Sequence, residues 1–338
     1  MLKRLRFHSL RFLALPLVML TSGCALIQDK APVQIDVADY RAYLAEDHPV
    51  RQGLRQFAES VETRSGGTLK VRVRTDAIQG APAKQLEQFQ QGHAGMPQLM
   101  LFAGTGLTSL HPAIGYLDLP FVLRDAQHAD AQLSGPFGQA LLAQLKGKGL
   151  VGVGLWENGF RHVTNSTAPL MAIQDMSGMK FRVAPDAVFE DTFKAVGAKT
   201  VQLPFSRLRR ALEDKSVAAQ DNFLAQIWVG GLHEVQPYLS LTHHSYGVLV
   251  MAANEAFWNG LSAKQKDALK LAAWDAGNFQ RKASREHDKQ VLELLQSKGV
   301  LISAMPPEEL SKWKNKTEFM RQSFKNSMNA DLLKQVSD

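Results

Sequence analysis

Between residues 33 and 104 the chain alternates three short apolar stretches with two helical ones. The connections leave each element next to the one before it. VQIDVADY, Val33 to Tyr40, has apolar residues at alternate positions, as a strand does. HPVRQGLRQFAESVETRSGG follows with Val50, Leu54, Phe57 and Val61 on one helical face, and Gly66-Gly67 stops it. LKVRVRT (Leu69 to Thr75) alternates again, AKQLEQFQQG is a short helix ending at Gly92, and MPQLMLFAG is an apolar strand. Strand, helix, strand, helix, strand predicts an α/β sheet with crossover helices.

The middle of the chain continues in the same style. GPFGQALLAQLKGKG reads as a helix, and LVGVGLWENG as a strand that leads into something tighter. PFSRLRRALEDKSVAAQDNFL reads as a short helix and then a strand. From Ala253 to Lys298 the pattern is helical and free of proline, long enough to bridge two lobes. A chain of 338 residues with 45% apolar and 21% charged residues suits two lobes of an ordinary soluble protein.

The first residues do not belong to that fold. Lys3, Arg4, Arg6 and Arg11 precede an apolar run, Phe12 to Leu20, and then TSGC. This is the order of a signal peptide over residues 1–23, and the run is about half the roughly 20 residues that span a bilayer. LTSGC resembles a bacterial lipobox, with Cys24, the only cysteine, as the acylated residue and 24–32 as a tether. The alternative is an ordinary secretory signal with an incidental cysteine. With Cys24 lipidated the mature chain has no thiol, which excludes disulfides and thiol catalysis. Four cations of the formal +7 lie in residues 1–23, which leaves +3 and no basic stretch interleaved with aromatics. Nucleic acid is therefore not an expected partner, and an anionic small ligand suits the balance.

Signatures of catalysis are missing. There is no HExxH, no GxSxG and no phosphate-cradling glycine loop. His243 and His244 are adjacent, so on a strand they point to opposite faces and do not share a metal ion. His48, His93, His111 and His162 are scattered. No enzyme, cofactor or metal is expected.

GMKFRV (Gly178 to Val183) puts Met179, Phe181 and Val183 on one face and Lys180 and Arg182 on the other. A guanidinium fixed on a strand is a planar fork that fits a carboxylate bidentately, whereas an arginine paired with a nearby acid is the plainer explanation. Around it stand AEDHP (Ala45–Pro49), SGG (Ser65–Gly67), LDLPFVLRDAQHA (Leu117–Ala129), WENGFRHVTNS (Trp156–Ser166), FKAVGA (Phe193–Ala198), LPFSRL (Leu203–Leu208), QDN (Gln220–Asn222) and EVQPYLSLTHHSY (Glu234–Tyr246). In this order the nine strings resemble the dicarboxylate-type solute-binding proteins of tripartite ATP-independent periplasmic (TRAP) transporters, from about Val33 to Ser297.

The resemblance implies a bilobal, periplasmic-binding-protein-like α/β clamshell with crossing chains and a long C-terminal bridging helix. Lobe I is expected at 33–157 plus about 245–285, and lobe II at 158–244 plus about 286–338. It implies capture of an organic acid between the lobes and delivery to the membrane subunits of a permease, with a monomer as the default. Arg182 takes the ligand carboxylate, Arg161 is a second anion contact and Asn222 a further one. Arg161 could equally pin a loop, and Asn222 could serve a turn. Glu157 and Trp156 are candidates for the cleft lining, with an interior strand as the alternative. The other class of function is a lipid-anchored sensor that reports a carboxylate to a membrane partner. Ala25 after Cys24 is not the aspartate that retains lipoproteins at the inner membrane of Gram-negative bacteria.

Some residues depart from the family. Lys215, Ala218, Ala219, Asp221 and Phe223 replace its usual Gly, Asp, Gly, Glu and Pro, and Arg207, Arg209 and Arg210 are additional. The C4-dicarboxylate preference is therefore open, and the added arginines read first as a solvated helix face.

Overall fold

A computed structural model describes residues 31–335 apart from 42, 77 and 79. The signal segment and Cys24 lie outside the described residues. The opening alternation folds as β1 (Val33–Asp39), α1 (Pro49–Ser65), β2 (Leu69–Val73), α2 (Pro82–Gln90) and β3 (Leu99–Ala103). Then come α3 (Ala126–Ser134), α4 (Pro136–Ala143), β4 (Leu150–Asn165), β5 (Lys180–Val183), α5 (Ala187–Lys194), β6 (Lys199–Gln202) and α6 (Phe205–Glu213). The rest is β7 (Ala219–Phe223), α7 (Leu224–Val229), β8 (Tyr238–Leu241), β9 (Tyr246–Asn254), α8 (Glu255–Asn259), α9 (Ala263–Ser297), β10 (Leu301–Ala304), α10 (Pro307–Asn326) and α11 (Ala330–Leu333).

The strands run in the order β2–β1–β3–β9–β4–β7–β5–β6, with β8 on β4 and β10 on β8. Strand β4 joins two parts of this sheet. Its first residues, Leu150 to Phe160, pair antiparallel with β9, and Arg161 to Asn165 pair with β7. The expected tightening at Asn158-Gly159 is a register shift instead. Gly159 (φ 99) takes up a bulge, and the strand runs on for six residues. The helical run also begins later than expected, because Ala253 and Asn254 still pair in β9. The Asn254 side chain accepts from Phe257 N to start α8, and Ser262 with Gln265 forms a capping box on α9.

Each part of the sheet has a core on both faces, and this makes the fold bilobal. Ile35, Val37, Leu99, Leu101 and Leu249 pack under α1 and the first half of α9, through Leu269, Ala272 and Ala276. Ala38, Met100, Phe102 and Val250 face α2, α3 and α4. Beyond β4, Phe181 and Val183 pack with Phe193 and Trp313, while Leu208, Leu212 and Leu239 pack with Val291 and Leu295 from the second half of α9. Helix α9 thus serves both parts. So does the C-terminal segment, because Trp313 enters one core and Met320, Met328 and Leu332 enter another.

Two glycines let α1, α9 and β4 approach closely. A Cβ on Gly53 would lie 2.9 Å from both Gln280 Cβ and Trp156 Cζ3, and one on Gly277 would lie 2.9 Å from Trp156 Cδ1. Trp156 is fully buried there and its Nε1 donates to Ala273 O at 3.0 Å. Fully burying such a ring contributes roughly 2–3 kcal/mol before packing is counted. Gln280 clamps the same place from α9. It accepts from Glu157 N at 2.9 Å and donates to Glu157 O at 2.8 Å.

Candidate functional site

Arg182 is the third residue of β5. Phe181 and Val183 enter the core, so alternation turns Arg182 to the other face. It is 2% exposed, and its Nε donates to Leu203 O at 2.8 Å. Among the described residues Nη1 and Nη2 have no acceptor, and no carboxylate pairs with the group. Burial pulls the guanidinium down from its ordinary range to about 10, with Asp221 opposing and Arg161 adding to the fall. A carboxylate placed against those two nitrogens would relieve that desolvation.

Arg161 begins the second part of β4 and lies close enough to act on Arg182. Unlike Arg182 it is already paired. Its Nε donates to Asp221 Oδ2 at 2.5 Å and its Nη2 to Asp221 O at 2.8 Å. The guanidinium lies between the rings of Phe189 (4.5 Å) and Phe223 (4.6 Å). Burial raises the Asp221 carboxyl, but Arg161, with help from His244, holds it well below the usual range. His244 Nε2 lies 3.3 Å from Asp221 Oδ2, and its Nδ1 lies 2.7 Å from Thr242 Oγ1. The Asp and Phe that depart from the family are therefore the partners of Arg161.

Asn222 sits in register with His162 on the neighbouring strand and is 5% exposed. Its Oδ1 accepts from Phe223 N at 3.1 Å, and its Nδ2 has no acceptor among the described residues. Arg161 and Asn222 lie on the paired strands β4 and β7, and Arg182 lies on β5, the other neighbour of β7. Glu157 is the remaining candidate. It lies on the first part of β4, where its Oε2 accepts from Tyr246 Oη at 2.7 Å and from Arg285 at 2.8 and 3.0 Å. Burial raises that carboxyl and Arg285 opposes the rise.

Other residues of the site carry no periodic signal. Tyr43, in the loop after β1, stacks its ring on Phe205 at 5.3 Å and lies beside both Arg182 and Gln226. Arg41, in the same loop, is fully buried and paired with Asp39 at 2.8 Å, and its Nη1 donates to Asn158 Oδ1 at 2.7 Å. Asp118 is buried near Arg161 and Asp186; burial, and then Asp186, push its carboxyl well up. These neighbours come from segments far apart in sequence, so only the fold brings them together.

His243 and His244 do not lie on a strand as expected but in the link between β8 and β9, with His243 at φ 45, and their rings have different partners. His243 meets His162 edge-on at 4.4 Å, while His244 stacks on Trp313 at 4.9 Å. Among the described residues no group of three or more His, Cys, Asp or Glu is placed to hold a metal ion. Arg207 and Arg210 are exposed on α6, and Arg209 pairs with Glu213 and Glu234.

Residues 41–327 match the family "Bacterial extracellular solute-binding protein, family 7". The 2,3-diketo-L-gulonate-binding periplasmic protein YiaO of Escherichia coli is 34% identical over 248 residues, 73% of this chain and 75% of that relative. The sugar acid binding protein DctPAm of Advenella mimigardefordensis, solved with galactonate, is 34% identical with a TM-score of 0.79, covering 91% of this chain and 97% of that one. A TRAP periplasmic solute-binding protein of Ochrobactrum anthropi is 31% identical with a TM-score of 0.82, covering 91% and 94%. The chain belongs to family 7 of the bacterial extracellular solute-binding proteins.

Proposed function

We propose that the protein binds a polyhydroxy monocarboxylate, a sugar acid, with Arg182 as the carboxylate anchor, and delivers it unchanged to a TRAP-type permease. The carrying observation is the charge inventory around Arg182. Arg41 and Arg161 each have an aspartate, whereas Arg182 has none among the described residues. One unpaired buried cation suits one carboxylate. A dicarboxylate would bring a second anion that these paired arginines are not free to meet. The two relatives at 34% identity, which bind 2,3-diketo-L-gulonate and galactonate, support the same ligand class.

In this reading Asn222 completes the carboxylate site, Arg161, already paired with Asp221, adds positive potential beside it, and Glu157 fixes the strand behind it. The first lobe comprises 33–157 with about 245–285, and the second 158–244 with about 286–338, the C-terminal segment packing back onto the first. The mature protein is a monomer tethered outside the cytoplasm through acylated Cys24.

The test is titration calorimetry of the chain from Ala25 onward with galactonate, gluconate, erythronate and succinate. A sugar acid should bind best, and Arg182→Ala should weaken it by two decades or more, roughly 3–5 kcal/mol. Succinate binding above every sugar acid would overturn the ligand class. An unchanged affinity in Arg182→Ala would overturn the anchor.

A further inference from the structure

Helix α7 follows directly on Asn222 and Phe223, and three of its six residues are buried. Leu224 and Ile227 enter the core beneath it with Leu208, Leu212 and Leu239. The third, Gln226, does not. It is 4% exposed and lies beside Tyr43, which is itself 43% exposed and next to Arg182. Its Oε1 is buried and accepts no hydrogen bond among the described residues.

The other orphaned side-chain atoms near this end of the sheet are of the same kind. Gln220 Oε1, Asp221 Oδ1 and Asp118 Oδ2 are also buried without a partner. Gln226 Oε1, Gln220 Oε1 and Asp221 Oδ1 are acceptors, whereas the Asp118 carboxyl, pushed up by burial, carries a proton more readily. A carboxylate on Arg182 brings only acceptors and leaves them as they are. A ligand hydroxyl brings a donor. Gln226 is the best placed to meet one. Gln220 and Asp221 are fully enclosed on β7, with their other atoms held by Thr164, Arg161 and His244. Gln226 instead lies beside Tyr43, which is 43% exposed and in turn acts on Arg182.

We propose that Gln226 determines specificity by accepting a hydrogen bond from a hydroxyl of the acid whose carboxylate sits on Arg182. This inference rests on the sugar-acid reading and assigns one residue to the hydroxyl end of the ligand. Burial makes the contact selective, because an analogue lacking that hydroxyl leaves the buried oxygen unpaired.

The experiment measures the affinity of galactonate, its single-deoxy analogues, hexanoate and succinate for the parent, Gln226→Leu, Gln226→Met and Arg182→Ala. In the parent, loss of one particular hydroxyl should cost about tenfold or more. In both Gln226 variants galactonate should weaken by a similar factor, and removal of that same hydroxyl should then cost little. The inference is overturned if the parent is indifferent to every single hydroxyl, a result that needs no variant to fold. It is equally overturned if the variants keep the parent's full discrimination. In either case loss of binding in Arg182→Ala would leave the carboxylate reading standing. Hexanoate or succinate binding as tightly as galactonate, or no acid binding at all, would overturn both.

Discussion

Arg182→Leu should raise the stability of the ligand-free protein while it abolishes binding. The side chain is 2% exposed, and burial takes its guanidinium from its ordinary range down to about 10. At 1.36 kcal/mol per pKa unit, the buried charge is disfavoured by about 3 kcal/mol. Because an arginine does not give up its proton in a protein, that cost appears as lost stability and not as titration. Leucine removes the charge and retains apolar volume in the buried stem position. It also removes the 2.8 Å bond from Nε to Leu203 O, worth about 1.5–3 kcal/mol for a charged donor. The balance favours the variant by up to about 1.5 kcal/mol, or a few degrees in Tm at roughly 2–4 °C per kcal/mol. Scanning calorimetry of the ligand-free proteins measures the first effect, and titration with the best sugar acid measures the second. A lower Tm for Arg182→Leu would mean that the guanidinium holds the fold together. Affinity within a factor of about three of the parent would mean that it does not hold the ligand.

Two further predictions concern stability alone. Lys215 has φ 58, a left-handed conformation that the family usually gives to glycine. Lys215→Gly should therefore stabilise the protein by about 0.5–1 kcal/mol in urea unfolding, and a loss of stability would show that the lysine is held there by a contact of its own. Burial takes His48, the N-cap of α1, down to about 3. An unfolded histidine takes up its proton near 6.5, so the contribution of His48 is complete above that pH and falls as pH drops toward 3. Between pH 6.5 and 5 the loss is about 2 kcal/mol. Asp288, raised to about 8 by burial and Glu157, works in the opposite direction, so the readout is the difference between the parent and His48→Asn, which keeps a capping side chain. That difference should shrink by about 2 kcal/mol over this range, and a constant difference would exclude His48 as its source.

Local rules made the first third of the chain legible. Alternation and helical spacing placed β1, α1, β2, α2 and β3, because each of those patterns reports a neighbourhood of a few residues. Arg182 was legible for the same reason, since Phe181 and Val183 show which face of β5 is apolar. What the sequence did not show is decided by partners far away. The Asn158-Gly159 pair has the composition of a turn, yet β9 and β7 hold β4 extended across it. Glu157 was a candidate for the cleft because nothing nearby hints that Arg285, 128 residues later, takes its carboxylate. Gln226 and Tyr43 had no signal at all, because only the fold brings them side by side from separate segments.

The same contrast is the basis of the proposed preference for a ligand of single charge. Around β4 the buried charges are largely matched within the protein. Glu157 joins Arg285, which also holds Asp130, and Arg161 joins Asp221 under two aromatic rings. Those pairs are costly to break and so keep the strands fixed where β4 passes from one part of the sheet to the other. Arg182 and the orphaned oxygens are held by this frame without being satisfied by it. Their orientation is already set, so a ligand that completes them loses little freedom in the protein on binding. The cation asks for one carboxylate and the oxygens ask for donors. A polyhydroxy monocarboxylate supplies both, whereas an apolar acid or a dicarboxylate answers only the first.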